Sequence, residues 1–346
     1  MDMNLVEYAQ RIPKAELHVH LEGSIQPDTL LKLAERNGIK LPASDVPGLR
    51  EFYRFRDFAH FIEVYLMITG CLKTPDDYAL IAYEFGGECH RQNIRYAEVT
   101  FTIVTNIKLT GLTWQEILCG LNQGRLQAFQ DFGVHWQWVF DIVRNNPETQ
   151  QAVLDITRAA RDQGVVALGL GGSEAEYPAD LFVSTFQQAV EAGIHRVPHS
   201  GEHAGPPGIW SAIHRLHAER LGHGVQAIGD PELVAYLAQQ QLPLECCPTS
   251  NIQLGVYSDY AHHPLRRLWD SGCFVTVNSD DPPLFATDRN HEYRVLVEHF
   301  GFTATELEKI SLNAIQASFL SPQEKSDFSG KFSAEFEQLK KEIARH

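Results

Sequence analysis

Positive charge is scarce in this chain: 29 Lys and Arg stand against 44 Asp and Glu, a formal net charge of −15 over 346 residues. That balance argues against an extended phosphate-binding surface, so nucleic acid is not expected as a main partner. Long apolar runs are also missing. No stretch approaches the roughly 20 residues that span a bilayer, and no membrane partner is expected. Met1 to Glu7 shows no basic segment leading into an apolar run, so no secretory signal is expected. Cys71, Cys89, Cys119, Cys246, Cys247 and Cys273 form no Cys-x-x-Cys pair and no zinc-finger spacing. They read as reduced thiols of a cytoplasmic protein. No Gly-x-Gly-x-x-Gly follows the first strand candidate, which argues against a dinucleotide-binding fold. No linker, low-complexity tract or internal repeat divides the chain, so residues 1–346 are expected to form one domain.

What the chain does have is alternation. Strand-like runs recur at 15–20, 94–101, 135–142, 165–170, 194–199, 219–223, 242–247 and 274–279. Between them lie stretches of 3.6-residue periodicity, such as 26–37, 149–162, 181–192, 208–218, 231–240 and 263–271. Pro27 and Gly38 frame the first of these, and Asp230-Pro231 opens a later one. Eight strands alternating with helices predict an α/β fold, a closed (β/α)8 TIM barrel. Two segments exceed that repeat. Residues 40–90 carry Phe52, Tyr53, Phe55, Phe58, Phe61 and Tyr65, and read equally as a helical flap over an apolar ligand and as an extra core layer. Phe328, Phe332, Phe336, Leu339 and Ile343 recur at helical spacing and predict a bracing helix with extra contacts to the barrel.

In such a barrel the chemistry lies at the C-terminal ends of the strands. The first candidate ends in His18-Val19-His20, whose imidazoles share one face because side chains alternate along a strand. The fifth ends in His199-Ser200-Gly201-Glu202, the sixth in Gly222-His223-Gly224 and the eighth in Asn278-Ser279-Asp280-Asp281-Pro282. Taken singly, these are a turn histidine, a helix cap or an exposed pair. Together they bring His, Glu and Asp from four strand ends to one rim, where buried carboxylates need a cation or substrate as partner. Three histidines and a carboxylate make a plausible zinc set with a position left for water, whose pKa the metal lowers toward neutrality. His214 and His217, on one helix face, and His262-His263 read as surface or structural residues.

These motifs, with Cys247-Pro248-Thr249-Ser250-Asn251, resemble the adenosine/adenine deaminase branch of the amidohydrolase superfamily from Ala15 to about Lys325. The resemblance implies one zinc held by His18, His20, His199 and Asp280. It implies that Glu202 protonates N1 of a 6-aminopurine while activated water attacks C6, with His223 and Asp280 orienting and deprotonating that water. Asp281 is implied to contact N7, and the backbone of Gly172 N3. Glu202 is then expected to have a raised pKa. Binuclear enzymes of this barrel type bridge two metals with a carboxylated lysine on strand four; here no lysine occurs between Lys108 and Lys309, which fits a single metal.

The departures concern substrate. Adenosine enzymes usually carry Asp where Glu22 stands, contacting the ribose, and Gly-Asp-Glu where this chain has Gly172-Ser173-Glu174. Gly222 before His223 follows the adenosine pattern. The leading expectation is a nucleoside of the adenosine type. The alternatives are free adenine or a modified adenine nucleoside such as aminodeoxyfutalosine. A non-catalytic barrel would be favoured by loss of a ligand or of Glu202, and neither is lost. The His-x-Glu and Pro-Cys-x-x-Cys site of nucleic-acid base deaminases is absent.

Overall fold

A computed structural model describes residues 4–343. Eight strands run parallel in sequence order: β1 (Lys14–His20), β2 (Ile94–Phe101), β3 (His135–Val143), β4 (Val165–Gly171), β5 (His195–Ser200), β6 (Leu221–His223), β7 (Leu244–Cys246) and β8 (Val275–Val277). The seam between β8 and β1 is drawn together just past β8. His20 N donates to Asp280 O at 2.9 Å, and Asp280 N donates to His18 O at 3.0 Å. The result is a nearly closed (β/α)8 barrel. Seven of the eight β2 positions are buried, which requires cover on both faces and explains why the run lacks polar alternation. The last three strands are shorter than their sequence runs. Only Cys247, Asn278 and Ser279 are trimmed at C-terminal ends, and they belong to the loops at the rim; the other trimmed residues lie at the opposite end of the barrel.

Helices form where the periodicity places them, with shifted ends. Residues 208–218 become Pro206–Arg215, so His217 lies beyond the helix in a left-handed turn (φ 52°) and shares no helical face with His214. Gly38 ends the first outer helix in the left-handed conformation, with its N–H closing on the preceding turn. Residues 40–90 fold into three helices, Val46–Phe52, Phe58–Thr69 and Pro75–Arg91. Asp57 caps the second by accepting from His60 N at 2.9 Å. As an extra core layer requires, Tyr53 is buried with its hydroxyl on Ile25 O, while Phe58, Phe61 and Tyr65 line a cavity at the strand ends. The tail is one helix, Pro322–Ile343, with Phe332, Phe336 and Leu339 buried against the barrel; the Ile343 side chain lies outside the described residues.

All six cysteines are free. Among the described residues, no helix is long and apolar enough to cross a membrane.

One buried carboxyl behind the rim loops, outside the clustered His and Asp groups, gives a pH test of the fold. Glu292 accepts from Thr249 N and the Thr287 hydroxyl, and its burial outweighs those bonds, pushing the carboxyl up from 4.5 to about 7. The folded state therefore holds this proton more tightly than the unfolded chain. That contribution is full below about pH 4.5 and is lost as pH rises through 7. Glu292→Gln keeps the shape without the charge, and should gain about 2–3 kcal/mol on wild type between pH 5 and pH 8. Urea midpoints of the two proteins at both pH values measure this; a constant difference would contradict it.

Candidate active site

The His-x-His of β1 points into the barrel mouth, and loops from across the chain complete the group. The ligating atoms of His18, His20, His199 and Asp280 lie within 4.8 Å of one another. Asp280 Oδ1 is 3.5 Å from His18 Nε2 and 3.4 Å from His20 Nε2, and the Nε2 atoms of His20 and His199 face each other at 3.3 Å. His18 Nε2 is buried without a hydrogen-bond partner among the described residues. Burial lowers His20 to about 4 and His199 well below the ordinary imidazole range, so both rings offer lone pairs. Three facing imidazole nitrogens and a carboxylate oxygen fit a divalent metal and leave room for a further ligand.

Neighbouring groups fix these side chains. Glu245 Oε2 accepts from His18 Nδ1 at 2.9 Å, which directs Nε2 to the site. Glu245 is itself paired with buried Arg220 at 2.6 Å, and Arg220 also meets Glu98. Ser250 donates to Asp280 Oδ2 at 2.6 Å. Asp280 and His223 both have positive φ (66° and 61°), a strain that non-glycine residues bear where a site demands it.

Glu202 faces the same centre, with Oε1 3.7 Å from His223 Nε2 and Oε2 3.1 Å from His203 Nδ1. Its loop is gathered by Glu174, whose carboxylate accepts from the backbone N–H of Gly201, Glu202 and His203. The expected raised pKa is not found here. Burial does push Glu202 up, but the neighbouring His223 imidazole and the hydrogen bond from His203 outweigh it and hold the carboxyl below its usual value. Asp281, by contrast, is driven well up by burial and by the charge of Asp280.

Above these groups opens a cavity of about 310 Å³. Its floor includes His20, His199, Glu202, His223, Asp280 and Asp281, and its upper wall is Phe58, Phe61, Ile62, Tyr65 and Leu66. Gly172 borders it at φ +99°, and a Cβ there would lie 2.6 Å from Asn145 Oδ1, so the backbone itself forms that part of the wall. Glu22 lies beneath. Its Oε1 accepts from Thr102 N and Asn106 Nδ2, and Oε2 is buried without a hydrogen-bond partner among the described residues. Burial pushes the carboxyl up to about 7.

A family model described as adenosine deaminase matches residues 13–334. The chain belongs to the adenosine deaminase family. It is 38% identical over 322 residues to an aminodeoxyfutalosine deaminase of Streptomyces avermitilis, covering 92% of this chain and 89% of that one. It is 32% identical to an adenine deaminase of Chlorobium phaeobacteroides, covering 92% and 95%. Among solved structures, an adenine deaminase from Arthrobacter aurescens superposes with a TM-score of 0.89 at 31% identity, covering 93% of this chain and 98% of that one. An amidohydrolase from Burkholderia ambifaria with bound zinc gives 0.91 at 25% identity, covering 100% and 97%. This deaminase is a zinc-dependent hydrolase acting on adenine-type small molecules.

The sequence named the rim of the site, and Glu174, Ser250 and Asn251 stood within its family-like motifs without a supporting role assigned to them. Glu245, in Leu244-Glu245-Cys246, was detectable as a lone carboxylate inside an apolar strand. Of the pair read as surface or structural, His262 is exposed, whereas His263 is buried and bonded to Asn251 beside His223.

Proposed function

We propose that this deaminase acts on a 6-aminopurine nucleoside whose sugar carries a bulky, aromatic-compatible substituent, of the aminodeoxyfutalosine kind. The observation that carries this reading is the cavity. At about 310 Å³ with an aromatic upper wall, it holds far more than a free base and falls in the range of sites for drug-sized ligands. The identity to aminodeoxyfutalosine deaminases, 38% and 39%, against 32–34% for the adenine deaminases compared, supports the same choice.

In this reading His18, His20, His199 and Asp280 hold the zinc, which when bound supplies an acidified water. Glu202 gives its proton to ring N1, making C6 electrophilic. Asp281, carrying a proton, donates to N7, and the Gly172 backbone N–H to N3. As the C6–O bond forms, the His223–Asp280 pair takes one proton of the water and passes it to the amino group. The C6–N bond then breaks, ammonia leaves, and the hydroxyl hydrogen returns to Glu202 as the 6-oxo group forms. Glu22 acts at the sugar end, through the Thr102 it holds and through its free Oε2.

Ammonia release from adenine, adenosine and aminodeoxyfutalosine tests the substrate. The expected kcat/KM is highest for the substituted nucleoside, by about 100-fold over adenine. A preference for adenine overturns the assignment.

A further inference from the structure

Behind His223 runs a line of hydrogen bonds that ends on the main chain. Leu265 N donates to His263 Nδ1 at 3.2 Å, His263 Nε2 lies 3.0 Å from Asn251 Oδ1, and Asn251 Nδ2 lies 3.3 Å from His223 Nδ1. His263, Asn251 and His223 are all buried.

The polarity of this line is set at its far end. A backbone N–H is always a donor, so His263 Nδ1 must accept and carry no hydrogen. The neutral His263 ring then has its one hydrogen on Nε2. Burial agrees, lowering His263 to about 3. That hydrogen goes to Asn251 Oδ1, which leaves the amide NH2 facing His223. Turning the Asn251 amide over would set its NH2 against the His263 N–H, and the line would break at its second link. His223 Nδ1 must therefore accept, and the hydrogen of the neutral ring sits on Nε2. Nε2 is the nitrogen that faces Glu202 Oε1 at 3.7 Å and Asp280 Oδ2 at 4.0 Å.

We propose that Asn251 and His263 are positioning residues that lock His223 in the Nε2–H tautomer, so that it donates a hydrogen bond into the site instead of accepting a proton there. The inference refines the deaminase reading above and rests on it for the role of the water. With Nδ1 occupied by the Asn251 amide and Nε2 already bearing hydrogen, His223 has no vacant nitrogen for the water's proton. Asp280 takes that proton and hands it to the departing amino group. The His223 hydrogen stays in place, orienting the attacking oxygen and steadying charge that builds on it.

The test is ¹⁵N–¹H NMR of histidine-labelled, zinc-loaded enzyme, with His223 assigned by the signals lost in His223→Gln. The wild type should show a hydrogen on His223 Nε2 and a bare Nδ1. In Asn251→Asp a carboxylate accepts where the amide donated, so the hydrogen should move to Nδ1. There kcat should fall about 10–100-fold with KM little changed. His263→Gln keeps an N–H for Asn251 and should retain the wild-type tautomer and most of the turnover. A wild-type His223 with hydrogen on Nδ1, alone or on both nitrogens, overturns the proposal, as does unchanged kcat in Asn251→Asp. The wild-type spectrum decides the matter even if a variant fails to fold. An enzyme with the Nε2–H tautomer that released no ammonia from any aminopurine would defeat the deaminase reading and leave the tautomer assignment standing.

Discussion

Glu202→Gln should keep its zinc and lose about 10³-fold in turnover, the scale of a general acid removed from its reaction. The amide has the shape of the carboxyl and can still meet His203, and the backbone bonds from Glu174 that shape the loop do not involve the Glu202 side chain. What it cannot do is release a proton to a ring nitrogen. None of the four clustered side chains proposed to hold the metal is touched, so metal content should stay at one per chain. Metal analysis beside single-turnover ammonia release separates the two effects, and turnover within tenfold of wild type would remove Glu202 from this role. In the ligand-free protein Glu202 is held ionised by His223 and His203. In the proposed reaction, the proton given to N1 would therefore be one that Glu202 takes up as the substrate replaces water around it.

The second large effect is expected from His199→Ala. His199 brings its Nε2 within 3.3 Å of His20 Nε2 from the opposite side of the barrel mouth, and no other imidazole among the clustered groups can fill that position. Zinc should fall from stoichiometric to near zero, and turnover should drop by about 10³-fold or more, since the water loses its activation. The fold should survive, because His199 is only partly buried and, among the described residues, its side chain hydrogen-bonds nothing outside the cluster. Circular dichroism should be unchanged. A variant that bound zinc at wild-type stoichiometry would show that the cluster is not the metal site.

How much of this was legible in the chain differs from residue to residue. His18 and His20 could be paired from sequence because strand alternation is a local rule: two residues apart means one face. The rim groups His199, Glu202, His223, Asp280 and Asp281 could be gathered because a parallel barrel sends every strand end to the same side. The pKa of Glu202 could not be read this way. Its direction depends on His203 and His223, and the balance of burial against those neighbours exists only once the loops are folded.

The sequence by itself therefore determined the architecture and which residues reach the rim, since periodicity and strand-end position are properties of the chain alone, while the single-zinc chemistry came from its resemblance to the deaminase family. The tertiary structure alone decided which groups stand behind them. Glu245 reaches His18 across 227 positions, Glu174 gathers a loop 27 to 29 residues away, and Asn251 and His263, both in the segment after β7, back His223. Such partners obey no spacing rule, because a hydrogen bond depends on distance in space and the fold sets that distance. Glu22 shows the division most plainly. Its match to the ribose-contacting Asp of adenosine enzymes implied a sugar contact, but only the structure shows one oxygen already committed to Thr102 and Asn106 and the other without a partner among the described residues.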